Sequence, residues 1–336
     1  MSRPTIADIA QEVGVSVPTV SKVLNGRKDV SPATRAKVEA ALVKNQYQRR
    51  SGGAIRRASH TNLVELVINE ISTPWSLELI RGVERVASKA GVGVVFTELG
   101  GEHKPGKQWI DGVLERKPLG VILVLATLAK QQQSQLRSRN IPFVVVDTYG
   151  EMSEGVSVVG SNNWNGGLVA TRHLIELGHT RIGVISGPQN FPCSRARVDG
   201  FRSAHEEAGL EWHADLIRWG DFDLSGGYLN GLALLDRTDR PTALFAGSDY
   251  QALGVMKAAR RLGLSVPEDL SIVGYDDVPM SKWISPELTT VHQPLQEMAA
   301  TATDMLLDES RTESGKTTRI DLAIHLVVRE STAPLK

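Results

Sequence analysis

One short segment of the sequence has almost the composition of a phosphate-binding loop. Residues 101–108 read Gly-Glu-His-Lys-Pro-Gly-Lys-Gln, which places glycines and a lysine much as the nucleotide-binding P-loop does. Gln108 stands where that loop needs a Ser or Thr hydroxyl to hold Mg²⁺, and Pro105 lacks a backbone N–H that would face phosphate. We therefore interpret the segment as a polar loop and predict no nucleotide site there.

Three further patterns resemble catalytic motifs, and each lacks an essential part. His205-Glu206 begins like a zinc-protease helix but has no second histidine one turn later. Gly91-Val-Gly93 lacks the third glycine of a dinucleotide-binding turn. Cys193 precedes Arg195 and Arg197, whose charges are expected to lower the pKa of its thiol, but the sequence places no histidine beside it. We predict no catalytic residue, no metal ligand and no cofactor, and we expect Cys193 to line a cleft.

The first sixty residues carry a strong excess of positive charge. They contain eleven Lys and Arg against four Asp and Glu, a net charge of +7, and the rest of the chain carries −7. A basic arm on an acidic body favours binding to a polyanion, because counterions released from phosphates drive the association. A solvated basic surface is the alternative. The spacing of the apolar residues decides between these two interpretations.

The same segment has the pattern of three short helices. Thr5 and Asp8 have the spacing of a capping box, and Gly14 is placed to end the first helix in a left-handed conformation. Ser16 is positioned as the N-cap of a second helix and Ser31 as that of a third. The third helix is expected to bury Ala36, Val38, Ala41 and Leu42. Such helices in about 45 residues fit a small helix-turn-helix DNA-binding domain.

The order and spacing of these residues closely resemble the headpiece of the lac-repressor (LacI/GalR) family. The matching strings are Thr5-Ile-Ala-Asp-Ile-Ala, Gly14-Val-Ser, Thr19-Val-Ser-Lys-Val-Leu-Asn-Gly26 and Val30-Ser-Pro-Ala-Thr-Arg35. The resemblance implies that Val17, Pro18 and Lys22 face the major groove, with Lys22 donating to guanine and Val17 touching a thymine methyl. The phosphate contacts it implies are Thr19, Ser21, Asn25, Ser31 and Thr34, and Thr5 and Ser16 complete the predicted DNA-binding set on this headpiece.

Residues 47–62 resemble the linker that this family uses as a hinge helix in the minor groove. Arg49-Arg50 replaces the usual Pro-Asn, and Arg56 stands where relatives insert a leucine between base pairs, with Ile55 the nearest apolar side chain. Gly52-Gly53 lowers helix propensity by about 1 kcal/mol per glycine relative to alanine. We expect Ile55 and Arg56 to contact DNA without a leucine-type kink.

From residue 63 onward, apolar strands and amphipathic helices alternate in two runs. The first run has strands at 63–68, 92–96, 120–125 and 142–146, and helices at 75–90, 107–117 and 130–139. The second has strands at 156–159, 181–185, 215–218, 242–246 and 270–274, and helices at 164–177, 195–209, 225–236 and 249–262. A helix at 294–307 and a strand at 318–328 close the chain. Such alternation predicts an α/β fold with two doubly wound parallel-sheet lobes and a ligand cleft between them.

The resemblance extends over this second part of the chain. It is carried by Gly178-His-Thr-Arg-Ile-Gly, by Arg197-Val-Asp-Gly-Phe and by residues 248–254, 267–277 and 288–294. It implies an effector-binding core similar to periplasmic sugar-binding proteins. The predicted organisation is an all-α helix-turn-helix headpiece (1–46), a hinge (47–62) and a core (63–336), with lobes at about 63–161 plus 293–318 and about 162–291 plus 319–330.

The family's ligand positions can be carried over one residue at a time. Arg197 would clamp ligand hydroxyls or a carboxylate, Asp276 would accept from sugar hydroxyls, and Ser248 stands where several sugar-responsive relatives have asparagine. The other implied contacts are Asp147 and Gln293 for hydroxyls, and Trp75, Trp219 and Phe222 as aromatic walls. Such a set suits a neutral polyol, because ring faces stack while hydroxyls form charge-assisted bonds. The alternative for the aspartates is helix capping, and for the tryptophans a place in the core.

The resemblance predicts a transcriptional repressor of sugar-utilisation genes, released from its operator by a small sugar or oligosaccharide. The alternative is a corepressor-type regulator, whose ligand, for example a purine, strengthens DNA binding. We expect a homodimer rather than a tetramer, because no leucine-heptad tail follows the last strand. We also expect a cytoplasmic protein with no membrane partner, since no signal-peptide core or membrane-length apolar stretch is present. An exported sugar-binding protein or a sugar-modifying enzyme would leave residues 1–50 unexplained.

Overall fold

The computed structural model describes residues 5–24, 27, 30–45, 60–149, 155–308 and 317–336. The chain divides into two compact units, residues 1–58 and residues 59–336. Three predicted DNA contacts, Asn25, Ile55 and Arg56, lie outside the described residues. Within the described ranges, none of the helices combines the length and the apolar character needed to cross a membrane.

The amino-terminal unit contains three helices around a small apolar core. They are α1 (Ile6–Val13), α2 (Val17–Leu24) and α3 (Pro32–Lys44). The predicted capping box is present: the Asp8 N–H donates to Thr5 Oγ1, and the Thr5 N–H donates to Asp8 Oδ2 at 2.7 Å. Gly14 ends α1 with φ of +72°, a conformation that glycine adopts without strain. The buried side chains of this core are Ile9, Ala10, Val20, Val23, Val38 and Ala41.

One residue predicted to be inside α3 is on its outer face. Val38 and Ala41 are buried as expected, and Leu42 packs partly buried against them. Ala36 is exposed, so that part of the prediction is wrong. Two residues along a helix correspond to a rotation of about 200°, so Ala36 points away from the side on which Val38 is buried.

The second unit begins with a six-stranded, wholly parallel sheet. Its strands are β1 (Leu63–Ile68), β2 (Gly93–Glu98), β3 (Gly120–Val124), β4 (Phe143–Val146), β5 (Ser157–Ser161) and β11 (Arg319–Leu322), in the order β11-β5-β4-β3-β1-β2. The helices on it are α4 (Pro74–Lys89), α5 (Lys107–Arg116), α6 (Lys130–Ser138) and α11 (Leu295–Leu307). Alternate residues of β1 face opposite sides, with Val64 and Leu66 packing toward α4 and α11 and Val67 toward α5 and α6. We call this sheet and its helices the first lobe.

The second lobe is built on another six-stranded sheet. Its strands are β6 (Ile182–Ser186), β7 (Ile217–Trp219), β8 (Ala243–Ala246), β9 (Ser271–Asp276), β10 (Thr289–His292) and β12 (His325–Val327), in the order β12-β10-β9-β8-β6-β7, and β12 is antiparallel to β10. The helices on it are α7 (Asn163–Glu176), α8 (Pro192–Glu207), α9 (Leu224–Leu235) and α10 (Asp249–Arg261), and short 3₁₀ helices span Ala214–Leu216 and Pro279–Lys282. One apolar cluster packs α9 and α10 on one face, and another packs α7 and α8 on the other. Helices on both faces make this a doubly wound sheet, as predicted.

The predicted elements are present, with ends that differ by at most three residues, but three points of the strand prediction need correction. The strand predicted at 318–328 is two strands, and Arg319–Leu322 pairs with β5 in the first sheet rather than lying in the second lobe with the rest of 319–330. The strand predicted at 156–159 joins the first sheet, in line with the predicted first lobe at 63–161, whereas Thr289–His292 was not predicted as a strand. Apolar pattern identifies a strand but does not say which partner it pairs with, because pairing is decided by contacts between distant segments.

The chain passes between the two lobes at three places, which bring several strand ends together. The crossings follow β5, β10 and β11, and each begins at the carboxyl end of a parallel strand. Ligands in open α/β sheets bind outside the carboxyl ends of the strands. The crossings therefore mark the region in which a ligand site is expected.

Candidate functional site

The second helix of the amino-terminal unit presents a distinct exposed face. Val20 and Val23 are buried, whereas Val17, Pro18 and Lys22 are exposed, with Val17 at 45% exposure. Pro18 and Lys22 are one turn apart and therefore lie on the same side of α2. An exposed apolar residue next to a lysine on a short helix fits a surface that reads base edges in a major groove.

Hydroxyl groups are paired at the starts of α2 and α3. Ser16 Oγ and Thr19 Oγ1 are 2.9 Å apart, and Ser31 Oγ donates to Thr34 Oγ1 at 2.8 Å. In each pair the serine oxygen also accepts from the backbone N–H of its partner, so both serines are N-caps as predicted. Helix N-termini with hydroxyl groups are suited to phosphate oxygens, because the N–H groups and the helix dipole favour negative charge.

Both hydrogen-bond donors of Thr5 are used in the cap of α1. Its N–H and its hydroxyl both donate to Asp8 Oδ2 at 2.7 Å, and these bonds lower the pKa of the Asp8 carboxyl. A donation from Thr5 to a phosphate would require one of these bonds to be released. The geometry therefore favours the capping role of Thr5 over its predicted DNA contact.

A cavity of about 260 Å³ lies in the second unit where the lobes meet. The ends of β4 and β5 and strand β11 form one wall, and the first residues of α7 and α8 form the other. Asp147, Ser161, Asn163 and Cys193 line it. Polar side chains at the carboxyl ends of strands give the cavity the donors and acceptors that a small polar ligand needs.

Asp147, which lines the cavity, interacts electrostatically with a second buried carboxyl group, that of Asp276, and with a buried guanidinium, that of Arg197. Asp147, Arg197 and Asp276 are each 4–6% exposed. Burial raises the pKa of Asp147 to about 6 and that of Asp276 well above its ordinary value, while the Arg197 charge opposes both shifts. Both aspartates also have positive φ, +48° and +110°, which is uncommon outside glycine and is found at functional sites that hold strain.

Arg197 is held in place by groups from several elements. Its Nε donates to Asn163 Oδ1 at 2.8 Å, and Nη1 donates to the Gly247 carbonyl oxygen. Its Cζ lies 3.6 Å from the ring centroid of Tyr275 and 5.3 Å from that of Phe222. The five guanidinium donors exceed the two that these bonds use, so Arg197 can also serve a ligand.

Gln293 links the first lobe to the crossing after β10. Its Nε2 donates to Asp147 Oδ2 at 3.3 Å and to Ser161 Oγ at 3.1 Å. Its Oε1 is buried and finds no donor among the residues that the structure describes. A buried acceptor without a donor is costly, so this oxygen suits a ligand hydroxyl.

Comparison with known proteins gives the same organisation. Residues 5–50 match the family of bacterial regulatory proteins, lacI family, and residues 171–332 match a periplasmic binding protein-like domain. The HTH-type transcriptional repressor PurR of Proteus mirabilis is 34% identical over 330 residues, which cover 98% of this chain and 97% of that protein. The chain belongs to the LacI family.

Two solved structures extend the likeness over the whole LacI-family fold. The complex of the transcriptional regulator CelR with cellobiose is 34% identical, with a TM-score of 0.73, and the match covers 98% of this chain and all of that one. The lac repressor dimer bound to operator and the anti-inducer ONPF is 26% identical, with a TM-score of 0.75, and the match covers 99% of this chain and all of that one.

Several residues predicted for the ligand site of this LacI-family chain have other roles in the structure. Ser248 caps α10, where its Oγ accepts from the Gln251 N–H at 3.1 Å and donates to the Phe222 carbonyl oxygen at 3.3 Å. Trp75 packs against the apolar core of the first lobe and Trp219 against that of the second. Neither tryptophan lines the cavity described above. Core packing, the interpretation weighed against ligand binding for the tryptophans, therefore fits Trp75 and Trp219 better, and the capping role of Ser248 was not predicted.

Cys193 lines the cavity as expected, but the prediction for its pKa is wrong. Burial raises the pKa of the thiol to about 11, and the nearby charge of Arg197 lowers it by less than burial raises it. Arg195 is exposed and donates to the Gln189 carbonyl oxygen. A protonated, buried thiol is a weak nucleophile. Within the described ranges no group of three or more His, Cys, Asp or Glu side chains is arranged to hold a metal ion.

An aromatic cluster at the junction of the lobes was not predicted. The His103 and Tyr149 rings stack with centroids 4.3 Å apart and planes 6° apart, and Phe191 meets both edge-on at 5.0 and 5.2 Å. Phe191 also lies 6.3 Å from Phe222, which connects the cluster to Arg197. His103 follows β2 and Phe191 precedes α8, so the residues come from loops of different lobes. No local pattern in the sequence marks such loop residues as neighbours.

Proposed function

We propose that this LacI-family chain is a transcriptional repressor of sugar-utilisation genes, released from its operator when a small sugar or oligosaccharide binds between the lobes. The observation that carries the proposal is the buried set of Asp147, Arg197 and Asp276 beside a cavity of about 260 Å³. The PurR relative is a transcriptional repressor, which supports a chain that binds its ligand without converting it.

The amino-terminal unit supplies the DNA-binding surface of this proposal. Val17, Pro18 and Lys22 read the major groove from the exposed face of α2. The hydroxyls of Thr19 and Thr34, paired with capping serines, approach phosphates at the helix starts. Ser21, one turn after Val17 on α2, belongs to the same proposed contact surface. The proposed headpiece is residues 1–46, with 47–62 as the hinge and 63–336 as the core.

The composition of the ligand site favours a sugar. Asp147 and Asp276 accept from hydroxyls, Arg197 donates to them, and the Gln293 Oε1 atom accepts one more. The Phe222 ring beside Arg197 offers an apolar face to the carbon side of a sugar ring. The CelR relative, solved with cellobiose, supports the same class of ligand.

Control of DNA binding by a sugar requires a coupling free energy between two separate units. The DNA surface belongs to residues 1–58 and the ligand cavity to residues 59–336. A ligand shifts DNA affinity only by the difference in its own affinity for the two states of the protein. We propose that the sugar favours the state with the lower operator affinity, and that the repressor acts as a homodimer, as the related lac repressor does in its complex with operator.

The proposal is tested with a thermal-shift screen of sugars and purines on the wild type, Asp276→Asn and Asp199→Asn. Asp199 is a surface residue paired with Arg202 and serves as the matched control. A sugar at about one hundred times its Kd is expected to raise the Tm of wild type and of D199N by about 5 °C or more, and that of D276N by far less. If every sugar shifts the Tm of all three proteins by the same amount, the proposed site is wrong.

The effect on DNA is measured by fluorescence anisotropy with a duplex selected from a random library. The sugar that stabilises the wild type is expected to weaken operator binding. If a purine is the stabilising compound and strengthens operator binding, the corepressor alternative replaces the inducer. The PurR relative is the observation that keeps this alternative in the experiment.

A further inference from the structure

The cavity has an outer wall that the proposed sugar contacts do not use. Trp164, at the start of α7, and Arg319 and Asp321, on β11, line this wall. The side chains of Arg319 and Asp321 form two bonds, Nε to Oδ2 at 2.9 Å and Nη2 to Oδ1 at 3.2 Å. Trp164 is 42% exposed, so much of its apolar ring surface is in contact with water. We call these three residues the outer wall.

The outer wall is continuous with the buried carboxylates. A Cβ atom at Gly160 would lie 3.3 Å from Asp147 Oδ1 and 3.3 Å from Asp321 Oδ1. The two carboxylates therefore flank Gly160 on β5. Their Oδ1 atoms are separated by at most about twice 3.3 Å. The charge of Asp321 raises the pKa of Asp147 and that of Arg319 lowers it, so the two ends of the cavity act on each other electrostatically. A single extended ligand can reach both.

The chemistry of the outer wall matches that of a sugar ring. A carboxylate accepts from hydroxyls, a guanidinium donates to them, and an exposed indole offers a flat apolar face to ring C–H groups. The same three kinds of group occur around Arg197, where Asp276 and Phe222 supply the other two. The same three kinds of group thus occur twice, once buried around Arg197 and once partly exposed on the outer wall, and Asp147, which lines the cavity, interacts with both.

We propose that Trp164, Arg319 and Asp321 form a second, outer sugar subsite, so that the effector is an oligosaccharide of at least two linked rings. The inner ring occupies the buried site at Asp147, Arg197 and Asp276, and the outer ring packs on the Trp164 indole. This inference rests on the proposed function of the cavity as a sugar site. It adds a minimum size for the ligand, two linked rings, and the residues that contact the second ring.

The test compares each disaccharide with its own monosaccharide by isothermal titration calorimetry on the full-length protein. The probes are glucose with cellobiose and maltose, and galactose with lactose and melibiose. The preferred disaccharide is expected to bind the wild type at least about tenfold more tightly than its monosaccharide. Trp164→Ala and Asp321→Asn are each expected to lower disaccharide affinity about tenfold while monosaccharide affinity stays within about twofold.

Two matched controls separate the subsite from general effects. Leu335→Ala truncates another large apolar residue of similar exposure, 44%, and Asp199→Asn opens another surface ion pair. Both are expected to bind mono- and disaccharides as the wild type does. Gly160→Ala places a methyl between the two carboxylates, in a strand where alanine is allowed, and is expected to weaken disaccharide binding more than monosaccharide binding.

The outcomes distinguish failure of this inference from failure of the proposed function. If disaccharides bind no better than monosaccharides, or if W164A and D321N lower both affinities equally, the outer subsite is wrong and the sugar site stands. If no sugar of either size binds the wild type, the sugar assignment is overturned and the outer subsite with it.

Discussion

At the residue scale, the burial of Asp147 in the proposed ligand site lowers the stability of the folded protein. Its carboxyl is buried, accepts from Gln293 and has a backbone φ of +48°. Burial disfavours the charged form, which raises the pKa to about 6, whereas the unfolded chain titrates near the ordinary value of about 4. Between these two values the folded protein binds more protons than the unfolded chain. Stability therefore falls as the pH rises through this interval, and the full cost is present above pH 6.

Asp147→Asn is expected to remove this cost. The free energy of unfolding of the ligand-free variant should exceed that of wild type by about 3 kcal/mol at pH 7, and the two should converge near pH 4. Urea unfolding at half-unit intervals from pH 4 to 7 measures both curves, with Asp199→Asn as the surface control. Parallel curves for wild type and D147N would show that the carboxyl is not desolvated. The variant should also lose sugar affinity, because an acceptor is replaced by an amide.

At the element scale, the position of Arg197 depends on the close packing of α7 against α8. A Cβ atom at Gly167 would lie 2.0 Å from the Arg197 carbonyl oxygen, and one at Gly200 would lie 2.0 Å from the Trp164 carbonyl oxygen. The two backbones touch because neither helix has a side chain at these points. Trp164 and Arg197, at the two ends of the proposed ligand, are therefore positioned by the same helix pair.

Gly167→Ala and Gly112→Ala test this packing with the same chemical change in two helices. At Gly167 the methyl overlaps backbone, so the helices must separate, and we expect a loss of several kcal/mol in unfolding free energy together with sugar affinity. At Gly112, in α5, the nearest atom is Arg116 Nη1, the end of a side chain that also pairs with Glu65, so the methyl requires only that this side chain shift and we expect a much smaller loss than at Gly167. Denaturant unfolding and calorimetry check both. Similar stabilities for the two variants would contradict the packing argument.

At the scale of the whole molecule, Trp283 points to a self-association surface. It follows the 3₁₀ helix Pro279–Lys282 in the second lobe and is 87% exposed. Its indole exposes a large apolar area that a partner surface could bury. We predict that a second copy of the chain in the proposed homodimer covers it.

Trp283→Glu is expected to dissociate the dimer at micromolar concentration, because it places a charge in an apolar contact. Sedimentation velocity measures the mass, and anisotropy is expected to show at least about tenfold weaker binding to a palindromic operator, since two half-sites no longer act together. Leu335→Glu, also at an exposed apolar position, should remain dimeric. A W283E protein that sediments as the wild type would remove this residue from the interface.

Local features of the chain were predictable from the sequence, because they depend on residues within one turn or one strand. The Thr5–Asp8 capping box, the left-handed Gly14 and strand β1 are of this kind, and the family resemblance added Arg197 and Asp276 by position. The alternation of apolar strands and helices was enough to predict two doubly wound lobes.

The tertiary structure decided the contacts between residues that are far apart in the chain. Gln293 meets Asp147 across 146 positions, and Arg319–Leu322 pairs with β5 although it follows the second lobe in sequence. The pKa of Cys193 rose rather than fell because burial outweighed the charge of Arg197. The local sequence pattern indicates which secondary structure each segment prefers by itself. Desolvation, strand partners and the walls of a cavity exist only once distant segments pack together, and these decide which polar side chains face a ligand.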